Sequence, residues 1–187
     1  METKTEQDYI RQIQDGNTLL FSYILDTYAR KVHALIVRIV ASHEDAEELT
    51  QDVFVKCFNK LGTFRGDCRF STWLYRIAYN TAISATRKRK TASPFMDESL
   101  LQNVPDSGVD ELLNNESDED VLMQLEGAVN ELPPDEKALV TLYYHHDKSV
   151  QELAVILGIS PANVKIKLFR IRKKLYVWMK QTSHGSR

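Results

Sequence analysis

Apolar residues recur at helical spacing along much of the chain, with polar residues between them. From Leu20 to Val40 they keep a period of about 3.6 residues, which predicts one long helix that Asn17 is in position to cap. A second helix is predicted from Ser42 to a stop at Gly62, and a third over STWLYRIAYNTAISATRKRK, residues 71–90. The predicted core positions are Phe21, Ile24, Leu25, Tyr28, Val32, Leu35, Ile36 and Ile39, then Ala46, Leu49, Val53 and Cys57, then Leu74, Ile77, Ala78 and Ala85.

Near the C-terminus the pattern predicts two helices joined by a tight turn. Ser149 and Glu152 form a capping box that starts the first, and Gly158 ends it because a residue without a Cβ suits a left-handed C-cap. Ser160 and Pro161 then give the N-cap and first position of the second helix. The apolar positions are Val150, Leu153, Ala154 and Leu157, then Val164, Leu168, Ile171 and Leu175.

The second of these helices presents a basic face opposite its apolar stripe. Asn163, Lys165 and Arg170 on or beside that face can donate hydrogen bonds to phosphates and to base edges in a major groove. The alternative is an ordinary helical hairpin with a solvated basic face. Because the start, stop and second start signals occur together, the sequence favours a DNA-binding helix-turn-helix.

Charge divides the chain into three parts. Residues 1–90 carry 14 Lys and Arg against 11 Asp and Glu, residues 91–131 carry 11 acids and no Lys or Arg, and residues 132–187 carry 10 against 4. The middle part is also rich in Ser, Asn and Pro and has little periodicity, as is typical of a linker. We therefore expect an all-α fold with two small helical domains, 1–90 and 117–187, joined by an acidic flexible linker over 91–116.

Several other protein classes are disfavoured. Cys57 and Cys68 have no companion ligands, which argues against a zinc site or a disulfide framework. His145 and His146 are adjacent and point in different directions on a helix. The apolar runs are too short and too charged to span a bilayer, and no phosphate-binding loop or catalytic motif is present. We expect a cytoplasmic protein with no cofactor and no enzymatic activity of its own.

Two predicted helices of the first domain carry polar faces beyond what folding requires. Acids crowd the start and outer face of the second helix, at Glu44, Asp45, Glu47, Glu48 and Asp52. Helix capping and a solvated face explain some of them, and a protein-docking role is equally open. One face of the third helix carries Trp73, Arg76, Asn80, Ser84 and Arg87. Such groups can stack on bases, bond base edges and neutralise phosphates of an unpaired strand, although Trp73 could instead be a core aromatic.

Three motifs follow in order: DAEELTQDVFVKCFNKL, FRGDCRFSTWLYRIAYNTAI and ELPPDEKALVTLYYHHDKSVQELAVILGISPANVKIKLFRIRKKL. Together they closely resemble the extracytoplasmic-function (ECF) sigma factors, the smallest class of the bacterial sigma-70 family, over most of residues 16–178. The resemblance implies a factor that binds core RNA polymerase and directs promoter-specific initiation.

The resemblance also implies a role for each face. The first motif would dock on the largest polymerase subunit through Asp45, Glu48, Gln51, Asp52 and Phe54. The second would open the minus-ten element and hold a flipped non-template base, with Phe64 and Asn80 in the pocket; the full predicted set is Phe64, Arg65, Trp73, Arg76, Asn80, Ser84, Arg87 and Lys88. The helix-turn-helix would read the duplex minus-thirty-five element through Ser160, Ala162, Asn163, Lys165, Ile166, Lys167, Phe169, Arg170 and Lys173. Ile166 departs from the small polar residue common there, which bears on promoter preference and not on the fold.

The resemblance implies one further partner, and two rival functions are open. Many such factors are held inactive by an anti-sigma factor, which the resemblance implies here as a partner. The acidic linker would thread polymerase channels built for nucleic acid, or serve only as a spacer. A stand-alone helix-turn-helix regulator would explain residues 132–178 but not the other two faces. A helical adaptor that binds only protein would explain the acidic face but not the two basic ends.

Overall fold

The computed structural model describes residues 5–40, 42–88 and 119–184, and every regular element in these ranges is a helix. The α-helices are α1 Glu6–Gln14, α2 Phe21–Val40, α3 His43–Lys60, α4 Phe70–Lys88, α5 Glu119–Glu131, α6 Pro134–Val140, α7 Val150–Leu157 and α8 Pro161–His184. They are joined by shorter turns, of which two are 3₁₀ turns, Thr18–Leu20 and Leu61–Thr63, and one is a π-helical turn, Thr141–His145. The chain divides into two compact units: α1 to α4 belong to the first, and the helices after residue 119 build most of the second. The predicted all-α fold with two helical domains is confirmed, whereas the predicted linker 91–116 lies outside the described residues.

The helix α1 is not among the predicted elements, although its start signal is present. The Asp8 amide donates to Thr5 Oγ1 at 3.3 Å and the Thr5 amide donates to Asp8 Oδ2 at 2.9 Å, which together form a capping box. Ile10 and Ile13 bury the inner face of the helix. Asn17 makes no side-chain cap, because a 3₁₀ turn leads directly into α2, so the predicted cap is wrong.

The core of the first unit forms where α2 packs against both α3 and α4. Ser42 starts α3 by accepting a hydrogen bond from the Asp45 amide at 3.3 Å, as the sequence predicts. Most of the predicted core is buried, from Ile24 and Val32 on α2 to Leu74 on α4. The exceptions are Leu25, which is 38% exposed, and four half-buried residues, Phe21, Leu49, Ile77 and Ala85.

The predicted helix-turn-helix is formed by α7 and α8. The Ser149 amide donates to Glu152 Oε2 at 3.0 Å and the Glu152 amide donates to Ser149 Oγ at 3.2 Å, so the capping box is formed. Gly158 has φ +70°, the left-handed conformation expected at this C-cap. On α8 all four predicted apolar positions are buried. On α7 the buried residues are Leu153 and Ile156, and the other three predicted positions, Val150, Ala154 and Leu157, are only half-buried.

Charged and tightly packed contacts attach the leading helices to α8. Lys174 Nζ lies 2.6 Å from Glu136 Oε1 in a largely buried ion pair, and one helical repeat earlier Lys167 Nζ lies 3.4 Å from Asp135 Oδ2. A Cβ at Gly127 of α5 would approach the Trp178 ring to 3.2 Å, so glycine permits this close contact. These contacts fix α8 against α5 and α6. None of the described helices is both long and apolar enough to cross a membrane.

Candidate nucleic-acid interfaces

An open cleft of about 480 Å³ lies between α3 and α4 in the first unit. Its lining residues are Lys56, Lys60, Thr63, Trp73, Arg76, Ile77, Asn80, Thr81 and Ser84. Four of the predicted minus-ten residues are therefore brought together, because positions 73, 76, 80 and 84 recur every three or four residues along α4. The half-buried Ile77 forms part of the wall, which explains its incomplete burial.

Two lysines of α3 complete the cleft and are missed by the sequence analysis. Lys56 and Lys60 are one helical turn apart and both face the cleft. Lys56 Nζ donates a hydrogen bond to Thr81 Oγ1 at 3.2 Å, and Thr81 is itself only 7% exposed. A buried hydroxyl thus holds the Lys56 ammonium at the cleft. Their spacing of four residues is the only sequence signal, and it has no meaning until α4 is known to pack alongside.

The charge and chemistry of the cleft suit an unpaired nucleic-acid strand. Of its nine lining residues, Lys56, Lys60 and Arg76 are cationic and none is acidic. Cations clustered along a groove neutralise phosphates and attract a polyanion. Trp73 adds a face on which a base can stack, and the exposed Asn80 amide adds both donors and an acceptor for a base edge.

Phe64 does not line this cleft with Asn80, contrary to the predicted pocket. It lies behind Trp73, with ring centroids 5.4 Å apart, and makes an edge contact with Phe70 at 5.6 Å. Phe70 in turn contacts Tyr28 of α2 at 5.6 Å. The half-buried Phe64 therefore ends an aromatic cluster that supports Trp73.

The remaining predicted minus-ten residues are the basic residues Arg65, Arg87 and Lys88. Arg65 is exposed in the loop before α4, next to Gly66, whose φ of +81° turns the chain. Arg87 is exposed near the end of α4. The side chain of Lys88 lies outside the described residues, as do residues 89 and 90 of the basic cluster.

The buried ionisable groups of the first unit belong to its core. Burial raises the pKa of Cys57 to about 12 and the pKa of Tyr75 to about 12. Burial also raises the pKa of Tyr28, whose hydroxyl donates to the Glu6 carboxylate. Each group therefore stays neutral at physiological pH. Within the described ranges, no three His, Cys, Asp or Glu side chains are grouped so as to hold a metal ion.

The acidic face of α3 is present, with one correction. Glu48, Gln51 and Asp52 are exposed, and Asp45 is half-buried in the first turn. Phe54 is only 6% exposed, because the buried stripe of α3 is wide enough to include it beside Val53. It is a core residue, so its predicted role as a direct polymerase contact is wrong.

The recognition face of α8 is largely free at its N-terminal end. Ile166 is 50% exposed and Phe169 is 42% exposed. The other exposed residues of the predicted set are Ser160, Ala162, Asn163, Lys165 and Arg170. This face can enter a groove without unfolding any part of the second unit.

Five residues of the predicted minus-thirty-five set also have structural contacts. The Asn163 amide donates to Ser160 Oγ at 3.2 Å, so the Ser160 hydroxyl caps α8. Lys167 forms the ion pair with Asp135 that is described above. Lys173 Nζ lies 4.5 Å from the centroid of the Phe169 ring, and this cation–π contact orients both side chains.

Comparison with known proteins accounts for both units. The family model for sigma-70 region 2 matches residues 24–92, and the model for sigma-70 region 4 matches residues 122–175. The RNA polymerase sigma-H factor of Pseudomonas aeruginosa is 30% identical over 176 residues, which are 91% of each chain. The ECF RNA polymerase sigma-E factor of Escherichia coli strain K12 is 31% identical over 180 residues, 93% of this chain and 94% of the relative. The chain belongs to the ECF sigma factors of the sigma-70 family.

Solved structures share the fold of this ECF sigma factor. The sigma factor RpoE from Bartonella quintana, in complex with the anti-sigma factor NepR, matches with a TM-score of 0.61 and 22% identity, covering 86% of this chain and 96% of that one. CnrH, in complex with the cytosolic domain of CnrY, matches with a TM-score of 0.65 and 21% identity, covering 92% and 96%. At these identities the likeness concerns the fold alone.

Each of the described interfaces lies within one of the two family matches. The cleft and the acidic face lie within the region 2 match, and the recognition helix lies within the region 4 match. A stand-alone helix-turn-helix regulator or a protein-only adaptor would account for one match and not the other. The helix α1 precedes the region 2 match, which begins at Ile24.

Proposed function

We propose that this ECF sigma factor directs RNA polymerase to promoters through two separate DNA-binding surfaces. The first holds the unpaired minus-ten strand in the α3–α4 cleft, and the second reads the minus-thirty-five duplex with α8. The observation that carries the proposal is the composition of the cleft, which combines a stacking ring, a base-reading amide and three cations with no acid. The corresponding domains are 1–90 and 117–187, with 91–116 as the linker.

The cleft is suited to a strand whose bases have left the duplex. Extruding a base costs a few kcal/mol of stacking and pairing, roughly what a pocket that stacks and hydrogen-bonds the base returns. Trp73 and Asn80 provide those two contacts, while Lys56, Lys60 and Arg76 neutralise the backbone. Arg65 precedes α4 and Arg87 lies near its C-terminal end, so the two exposed arginines add positive charge at both ends of this helix. Phe64 supports Trp73 from the loop before α4 and is not itself a cleft residue.

The recognition helix is suited to a double-stranded element. Arg170 is exposed on the basic face of α8 and Lys165 is exposed beside it, and the Phe169 ring offers an apolar contact for a thymine methyl group. Ile166, with half of its surface exposed, favours an apolar contact where a polar side chain would hydrogen-bond. Promoter preference at that base pair should follow this difference.

The exposed acids of α3 are proposed to bind the polymerase. Glu48, Gln51 and Asp52 lie on exposed turns of the helix, and a carboxylate cluster fits a basic surface on the partner. The acidic linker would occupy a basic channel of the same enzyme. Because the polymerase performs the chemistry, the factor is proposed to have no enzymatic activity of its own. It is also proposed to act in the cytoplasm.

An anti-sigma factor is proposed as a further partner. Two proteins of the same fold are bound to such partners or to a cytosolic domain of another chain. Such a partner would silence this factor by covering the surfaces proposed for DNA and polymerase.

A reconstitution experiment tests the proposed function. The purified full-length chain is mixed with bacterial core polymerase, and both co-elution and initiation from a randomised promoter pool are measured. We expect a stable complex and initiation that requires both components. A chain that bound duplex DNA without core would instead be a stand-alone regulator, and a chain with no core association and no initiation on any promoter would contradict the proposal.

A further inference from the structure

The last residue of α1 is bonded to the loop that carries Phe64. Gln14 Nε2 donates to the carbonyl oxygen of Leu61 at 2.9 Å and to the carbonyl oxygen of Phe64 at 3.0 Å. These partners are 47 and 50 residues away in sequence, so the contacts are purely tertiary. One amide group therefore holds both ends of the turn from Leu61 to Phe64.

The chemistry of the side-chain amide fits this contact closely. A glutamine NH₂ group has two hydrogens, and here both partners are main-chain carbonyls that can only accept. The Phe64 amide also donates to the Leu61 carbonyl at 3.0 Å, so Gln14 bonds to a turn that is already closed. Leu61 is 2% exposed, which anchors one of the two acceptors in the core. The second bond extends that anchor to the Phe64 backbone.

A separate set of contacts holds α1 itself in place. The Tyr28 hydroxyl donates to Glu6 at the other end of α1, and the Tyr28 ring contacts Phe70 in the aromatic cluster. Phe64 is thus supported on its ring side by Phe70 and Trp73 and on its backbone side by Gln14. Both supports connect Phe64 to α1. Gln14 is the last residue of α1, and Phe70 contacts Tyr28, which bonds Glu6 of α1.

We propose that Gln14 is a positioning residue for Phe64 and Trp73 in minus-ten strand recognition. The inference rests on the proposed function of the cleft. Gln14 touches no DNA in this role; it fixes the backbone from which the Phe64 ring supports the stacking surface. Because Gln14 is exposed, its replacement leaves the core intact and loosens the loop.

The test measures holoenzyme binding to a single-stranded minus-ten oligonucleotide selected by the wild-type holoenzyme from a random pool. Gln14→Met removes both donors without adding charge, and Gln14→Glu sets a carboxylate against two carbonyls. We expect each to weaken binding about threefold to tenfold, the range of one typical hydrogen bond. Core affinity should stay unchanged, and each variant should remain folded at the assay temperature in thermal unfolding. Gln7, an exposed glutamine on the same helix, supplies matched controls as Gln7→Met and Gln7→Glu.

A double-mutant cycle with Phe64→Ala identifies the route by which Gln14 acts. If Gln14 works through Phe64, Gln14→Met should cause no further loss in the Phe64→Ala background. An equal, additive loss there, or no loss in the wild-type background, would overturn the inference while leaving the cleft proposal standing. If Phe64→Ala, Trp73→Ala and Asn80→Ala all bind the oligonucleotide normally, the cleft proposal itself fails, and the role of Gln14 fails with it.

Discussion

Replacing Asn80 with alanine should impair promoter opening much more than polymerase binding. Asn80 is exposed on the cleft face of α4, so truncation removes no core packing. Its carboxamide can form a bidentate contact with a base edge, and such a contact discriminates by about 1–3 kcal/mol. Since every 1.4 kcal/mol or so is tenfold, opening should weaken roughly fivefold to 150-fold.

The assay compares two equilibria of the same variant. Opening is measured by permanganate reactivity of unpaired thymines on a promoter selected by the wild-type holoenzyme, and core affinity is measured by fluorescence titration. Asn59→Ala is the matched control, because Asn59 is an exposed asparagine of α3 that is not among the cleft residues. We expect the control to behave as wild type in both measurements.

Two results would refute the assignment of Asn80. Equal losses in core affinity and in opening would mean that Asn80 acts in polymerase binding and not specifically in opening. Normal opening by Asn80→Ala would mean that the cleft does not read a base through this amide. In the second case the three cations could still bind the backbone, and the salt dependence of binding would reveal them.

Three other measurements test separate parts of the structure. Asp52→Arg should weaken core binding by about tenfold or more through charge repulsion, with normal binding to the single strand, whereas Asp26→Arg on α2 should change neither. Lys174→Met should destabilise the second unit in urea unfolding by about 2–3 kcal/mol, because it leaves the Glu136 carboxylate without its cationic partner. Adding Glu136→Leu should recover most of this loss. A change below about 0.5 kcal/mol would show that the ion pair does not stabilise the unit. The first unit should lose stability as pH rises from about 9 toward 12, because the unfolded chain ionises Cys57, Tyr75 and Tyr28 before the folded chain does. Cys57→Ala should remove only the part of this slope that Cys57 causes.

Local signals in the sequence were sufficient for most of the helices. Capping residues such as Ser42, Ser149 and Ser160 act within one turn, so their effect can be deduced without knowing the fold. The same reasoning fails for α1, which is short and polar. Its capping box is visible at Thr5, but Tyr28 and the Leu61 turn, which hold it in place, are distant in sequence.

Faces that depend on tertiary packing were harder to assign. The four α4 residues of the cleft were grouped correctly because they belong to one helix. Lys56 and Lys60 were missed because only the packing of α4 on α3 turns their side toward the same cleft. Phe54 was misplaced for a related reason, because the width of the buried stripe of α3 depends on how the neighbouring helices pack against it.

In the proposed arrangement the two units contribute to different steps of initiation. A contact made equally with closed and open DNA raises affinity but does not shift the balance between the two states. The α8 face offers Lys165 and Arg170 to an element that stays double-stranded, so its contacts are of that kind. Trp73 and Asn80 address base faces and edges that become available only when the strands separate. The free energy for opening must therefore come from the cleft and the polymerase, and a chain with the helix-turn-helix alone would anchor without melting.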